Sequence, residues 1–212
     1  HAYSNAQLRL AKTMDKISVL ADAGISFQDK KIFDVGCGDG STLRHLQEIY
    51  QGVGYGIDIS AQAVARAQQA SDSDWLYFQV GDARALPFTS KTFDIVFSWG
   101  VVEHFSQDLL ALSESLRVLR PGGVLVLIQP NISSCAVIQE WYLRARGKWS
   151  FGQHKKYTAA RWKRELVRCG FSSVRSFTRP PYCDMPIVRF FDQALRSIFP
   201  RWGHYLYLIA QR

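Results

Sequence analysis

Three glycines in five positions, Gly36, Gly38 and Gly40 of Asp34-Val-Gly-Cys-Gly-Asp-Gly-Ser41, follow directly on the apolar residues Ile32, Phe33 and Val35. Such a turn between a strand and a helix lets a ligand approach bare backbone, and the helix start offers N–H groups to a negative group. Dinucleotide sites place a pyrophosphate there and favour G-x-G-x-x-G. Here the spacing is Gly36-x-Gly38-x-Gly40, with Asp34 two residues ahead of the first glycine, and it departs from that pattern. A second acid, Asp58 in Gly56-Ile-Asp-Ile-Ser60, stands 22 residues beyond Gly36 at the end of the next apolar run. An acid at that place can accept hydrogen bonds from both ribose hydroxyls of an adenosine-bearing ligand. The plainer account makes it a helix-capping or solvated Asp.

The elements that must position these residues follow from periodicity. Leu8, Ala11, Ile17 and Leu20, mixed with Lys12, Asp15 and Lys16, predict an amphipathic helix over 6–23 with Gly24 as its stop. Strands are expected at 31–35, 53–58, 75–80 and 93–98. Helices are expected at 41–50, ended by Gly52, and at 61–70, capped by Ser60. A turn-rich loop fills 81–91. A helix over 108–119 is closed by Arg120-Pro-Gly-Gly123, and 124–129 is a fifth strand. Apolar strands separated by single helices indicate a mainly parallel, doubly wound α/β sheet with helices on both faces. Past Gln129 the alternation loosens into helices at 132–146, 158–169 and 187–199 and strands at 173–178 and 204–210. No internal repeat or linker is evident, so one domain over 1–212 is expected.

Composition narrows the function classes. At 212 residues, 47% hydrophobic and 21% charged, the chain suits one soluble domain, and no apolar run approaches a membrane span. His1-Ala-Tyr-Ser shows no leader pattern. Cys37, Cys135, Cys169 and Cys183 are scattered without metal-ligand spacing, which argues against a disulfide framework or structural zinc and suits a reducing cytoplasm. Residues 1–138 carry 11 Lys/Arg against 14 Asp/Glu, a balance of −3, whereas 139–212 carry 15 against 4, a balance of +11. The C-terminal third is the basic, partner-facing candidate.

Further motifs join the glycine turn. Gly81-Asp-Ala83 follows the third strand, Trp99-Gly-Val-Val-Glu-His104 follows the fourth, and Leu119-Arg-Pro-Gly-Gly-Val-Leu125 leads into the fifth. In this order and spacing they resemble the class I S-adenosylmethionine-dependent methyltransferases, most closely the ubiquinone/menaquinone-type (type 11-like) branch, over roughly residues 30–130. The resemblance implies a Rossmann-like seven-stranded sheet in the order 3-2-1-4-5-7-6, with an antiparallel edge. Residues 1–29 then form an N-terminal helix, 30–130 the cofactor-binding core, and 131–157 with 179–203 the cap insertions on the acceptor side. It also implies that Gly36, Cys37, Gly38 and Gly40 approach the methionine part of the cofactor, with Asp34 near its amino group. Asp58 would hold the ribose, Ile59 would pack on adenine, Asp82 and the Ala83 N–H would read the adenine edge, and Ser98 and Trp99 would line the cofactor.

Methyl transfer from a sulfonium needs an aligned acceptor and no metal, but an oxygen or carbon acceptor must shed a proton, for which His is the usual base. His104, His154 and Tyr157 are the candidates. Each has a structural alternative: a helix-starting pair for Glu103-His104, a solvated loop for His154, a core aromatic for Tyr157. The segments that would contact the acceptor carry apolar residues at helical spacing, among them Trp141, Tyr142, Phe190, Phe191, Ile198 and Phe199, with Arg144, Arg146, Lys148, Arg189 and Arg196 between or after them. Either these faces pack on the rest of the chain, or they cap a pocket for a lipophilic or anionic small molecule and meet an acidic membrane surface. A nucleic-acid acceptor ranks lower, since Arg179-Pro-Pro-Tyr182 lacks the first residue of the base-methylating motif. The expectation is therefore methyl transfer to oxygen or carbon of a small acceptor, yielding S-adenosylhomocysteine. A non-catalytic cofactor-binding or partner subunit is the competing account.

Overall fold

A computed structural model describes residues 5–105, 108–148, 157–180, 186–199 and 201–212. The first elements are α1 (Asn5–Asp22), β1 (Lys31–Val35), α2 (Ser41–Tyr50), β2 (Val53–Asp58), α3 (Ala61–Gln69), β3 (Leu76–Val80) and β4 (Phe93–Trp99). There follow α4 (Asp108–Val118), β5 (Leu119–Pro130), α5 (Cys135–Ala145), α6 (Ala159–Arg168), β6 (Ser173–Arg179), α7 (Pro186–Ile198) and β7 (Tyr205–Gln211). The strand order is β3-β2-β1-β4-β5-β7-β6, with β7 antiparallel to both β5 and β6. This is the order that the resemblance implied. The chain divides into two compact units, 1–97 with 117–123 and 98–116 with 124–212.

In the first unit β1 pairs in parallel with β2, and β2 with β3. Phe33 stacks on Phe93 at 4.9 Å between centroids and meets Phe88 edge-on at 5.0 Å. Ile17 and Leu20 of α1, Leu43 and Leu46 of α2, and Val64 and Ala67 of α3 are buried with them, the faces that helical periodicity predicts. Each such Leu, Ile or Phe contributes about 1.5–3 kcal/mol on burial. Ser60 caps α3 as expected, its Oγ accepting the Ala63 N–H at 3.2 Å.

Two expected boundaries differ. The left-handed cap of α2 falls on Gln51, at φ 55, not on Gly52; a Cβ on Gly52 would run into the Lys30 carbonyl. The Arg120–Gly123 stretch, expected as a loop closing α4, is the start of β5. Asp94 holds it there, pairing through Oδ1 with Arg120 at 3.0 Å while Oδ2 accepts the Lys31 N–H at 2.9 Å.

The second unit buries Leu125, Leu127, Trp162, Leu166, Phe171, Leu206 and Leu208 around the β5-β7-β6 ladder. Phe177 stacks on Tyr207 at 5.0 Å. Thr158 caps α6 by accepting the Arg161 N–H at 3.2 Å. Among the described residues no helix is long and apolar enough to cross a membrane.

Candidate functional site

The glycine turn after β1 is held from β2. Ile57 O accepts both the Gly36 and Cys37 amides, at 2.8 and 2.9 Å, and the Gly40 amide bonds Cys37 O at 2.9 Å. Asp58 supplies the next clamp: Oδ2 accepts the Gly38 N–H at 3.0 Å and Oδ1 the Ser60 N–H at 2.9 Å. Each oxygen of an ionised carboxylate keeps further acceptor capacity after one such bond. The turn amides are thus largely spoken for, and Asp39 Oδ1 takes that of Ser41. The amides of Thr42 and Leu43, in the first turn of α2, meet no acceptor among the described residues.

The three glycines serve different ends. All have positive φ, at 77, 56 and 71° for Gly36, Gly38 and Gly40. A Cβ on Gly40 would lie 2.7 Å from the Phe78 ring, so that glycine admits a neighbouring side chain. A Cβ on Gly38 would meet nothing within 4 Å. Gly38 is the position that faces open space. Cys37 turns its side chain towards β2, where a Cβ on Gly56 would lie 2.7 Å from Sγ. Burial pushes its thiol well up.

Asp34, on β1, is 3% exposed. Burial pushes its carboxyl up to about 7, opposed by the Lys16 ammonium of α1 and reinforced by Asp58. Burial in turn pushes Lys16 down, with Asp34 opposing. Asp82 is forked by Arg84, with Nε at 3.0 and 3.1 Å from the two oxygens and a terminal nitrogen at 2.6 Å from Oδ2. That pairing holds the Asp82 carboxyl below its ordinary value. The Ala83 N–H meets no acceptor among the described residues. Ile59 is 73% exposed, an apolar side chain left uncovered just past β2.

In the second unit Ser98 is fully buried and its hydroxyl has no partner among the described residues, while Trp99 is half-buried. Past them the chain makes a single 3₁₀ turn over Val102–His104. Glu103 there is buried, and the Gln129 amide, oriented with its nitrogen inward, donates to both carboxylate oxygens at 3.2 and 2.5 Å. Burial pushes the Glu103 carboxyl up to about 7. His104 is partly exposed, its Nε2 4.0 Å from Glu103. Tyr157 is half-buried and packs on buried Trp162 at 5.0 Å, with the Arg161 guanidinium 3.9 Å over its ring. His154 lies outside the described residues.

Residues 33–127 match a methyltransferase-domain family. Over this stretch the chain is similar to the class I, type 11 methyltransferases. The chain is 40% identical over 101 residues to 2-methyl-6-phytyl-1,4-hydroquinone methyltransferase of Synechocystis, covering 47% of this chain and 32% of that protein. It is 30% identical over 130 residues to chloroplastic tocopherol O-methyltransferase of Arabidopsis thaliana, covering 59% and 37%. The chain thus spans about a third of the length of these relatives. In fold it matches an S-adenosylmethionine-dependent methyltransferase from Mesorhizobium loti, with TM-score 0.65, 18% identity and coverage of 89% and 93%.

The residues that sequence reasoning missed are partners of ones it found. Lys16 beside Asp34, Arg84 on Asp82 and Gln129 on Glu103 carry no motif. Only the short spacing from Asp82 to Arg84 offered a signal.

Proposed function

We propose that the chain transfers a methyl group from S-adenosylmethionine to an oxygen or carbon of a small, hydrophobic acceptor. The cofactor supplies an electrophilic methyl on a sulfonium. The observation that carries the reading is the Asp58 clamp beside Gly38: a carboxylate fixed by two backbone amides, with acceptor capacity left, next to a glycine that faces open space. That donor set fits the ligand. Asp58 would accept the ribose hydroxyls, Ile59 would cover the adenine, and the Ala83 N–H would meet its edge. The Thr42 and Leu43 amides would take the methionine carboxylate, with the positive end of α2 behind them. Asp34 would face the amino group. The acceptor's proton is assigned to His104, whose ring stands beside Glu103.

Methyltransferases of lipophilic, ring-hydroxylated molecules among the relatives support a hydrophobic acceptor. On α7, Phe190, Phe191 and Ile198 stand 69, 57 and 69% exposed, within the strongly basic C-terminal third. This favours peripheral contact with an acidic membrane surface.

Calorimetry with S-adenosylhomocysteine tests the donor. Micromolar binding is expected, with no binding of NAD, and Asp58→Ala should weaken it at least about tenfold, the scale of losing hydrogen bonds to a charged group. Unchanged affinity in that variant would remove Asp58 from the site. Binding without turnover against any extract fraction would favour the non-catalytic account.

A further inference from the structure

A cavity lies wholly within the second unit, just past the carboxyl end of β5. Its volume is about 370 Å³, and Asn131, Ser133, Thr158, Ser176, Thr178 and Arg201 are among the residues that line it. That volume is enough for the head of a small ligand. Its walls mix these polar residues with Ile132, Ala159, Phe177 and Leu206, and the described lining includes no acidic side chain.

The wall carrying Arg201 is built to stay in place. Asn131 is 5% exposed, and its side-chain Nδ2, with two N–H donors, lies within hydrogen-bond distance of three carbonyls, those of Gly203 at 2.7 Å, Arg201 at 2.9 Å and Ser133 at 3.2 Å. The Asn131 backbone N–H donates to His204 O at 2.9 Å, and the Gly203 N–H donates to Ser133 O at 3.1 Å. From β6, Thr178 Oγ1 donates to Trp202 O at 2.9 Å. The stretch 201–204 is therefore tied from two strands, and these bonds consume the carbonyls that would otherwise repel an anion.

What remains is donor-rich. The Arg201 guanidinium meets no carboxylate, and the Ser133 and Ser176 hydroxyls have no partner, among the described residues. Phe177, which also lines the cavity, has the Arg179 guanidinium 5.8 Å from its ring centre, and Arg179 Nε is buried with no partner among the described residues. Thr158 and Ala159 bring the positive end of α6 to the same wall. A guanidinium fork with hydroxyl donors in a recess that lacks carboxylates matches the geometry of an oxyanion.

We infer that this cavity is a subsite for an oxyanion, a carboxylate or phosphate carried by the acceptor, with Arg201 as its principal ligand. Calling the bound molecule the acceptor rests on the methyl-transfer reading; the oxyanion site itself does not. The acceptor would then be amphipathic, with a charged end held by Arg201.

Amide-resolved NMR of the full chain, titrated with sodium phosphate and separately with sodium acetate at constant ionic strength, tests it. Saturable shifts are expected at Asn131, Ser133, Ala159 and Ser176, and whichever anion binds more tightly names the head group. Arg201→Ala should weaken binding at least about tenfold, and Arg201→Lys, which keeps charge without the fork, by less. Absence of saturable shifts, or shifts that survive Arg201→Ala, would overturn the inference. Calorimetry with S-adenosylhomocysteine on the same samples keeps the two readings apart. Cofactor binding without oxyanion binding sinks the subsite alone, and oxyanion binding without cofactor binding sinks the methyl-donor reading alone.

Discussion

Gly38 and Gly40 look equivalent in sequence and are not equivalent in the fold. Alanine at Gly40 must hold a left-handed backbone and push into the Phe78 ring, so Gly40→Ala should cost roughly 2 to 4 kcal/mol in chemical denaturation. Gly38→Ala meets only the backbone penalty, about 1 kcal/mol, and should show its main effect as weaker S-adenosylhomocysteine binding. Equal stability losses in the two would undo the distinction. Glu103 gives a residue-scale pH effect. Its carboxyl, at about 7 against an ordinary 4.5, binds a proton more tightly in the folded chain than in the unfolded one. Its contribution to stability is therefore full below about 4.5, falls as pH rises towards 7, and is lost above. Glu103→Gln should remove that fall: its Tm should match the parent near pH 4 and exceed it near pH 8, while parallel profiles would refute the assignment. Glycine positions and acids were legible in the sequence because backbone torsion and charge restrict residue type. The partners were not, since Lys16, Arg84 and Gln129 sit where many polar residues would serve.

At the scale of elements, the strands and helices up to β4 follow the sequence closely because their apolar runs and caps are unambiguous: Ser60 caps α3 as its type predicts. The expected loop at Arg120–Gly123 became strand because the Asp94 carboxylate ties Arg120 and Lys31, a contact set by residues far apart in sequence. The helix expected over 132–146 begins only at Cys135, since Asn131 spends its side chain on carbonyls of the preceding loop and of 201–203. For α7, the exposed Phe190–Phe191 pair, with rings 5.8 Å apart, belongs to the membrane-contact proposal. Co-sedimentation with vesicles containing anionic lipid should capture the chain at low salt and release it as salt rises. Replacing both phenylalanines by serine should reduce capture at least about tenfold. No capture at low salt, or capture indifferent to the double substitution, would leave those residues a packing role.

For the whole molecule, the sequence divides by legibility at about residue 130. Before it, recognition of one widely shared donor restricts backbone and side chains at fixed spacings, and the methyltransferase family match covers 33–127. After it, charge and amphipathicity are visible while their target is not, because the cavity proposed as an oxyanion subsite is written in contacts such as those of Asn131 and Arg201, which are far apart in the chain. The balance of +11 over 139–212 is a property of surface composition, and it predicts anionic partners without choosing among them.

Cys37 adds a kinetic handle. Its thiol is buried within the glycine turn itself, and burial holds it far from the thiolate form that reacts with alkylating reagents. Modification must therefore await a local opening of the turn, which makes the rate a clock for that opening. A ligand bridging Gly38, Asp58 and the first turn of α2 should slow the clock. Mass spectrometry of the Cys37 peptide would then report cofactor occupancy in crude mixtures, with no acceptor needed, and a rate unaffected by saturating S-adenosylhomocysteine would mean that the turn opens without releasing its ligand.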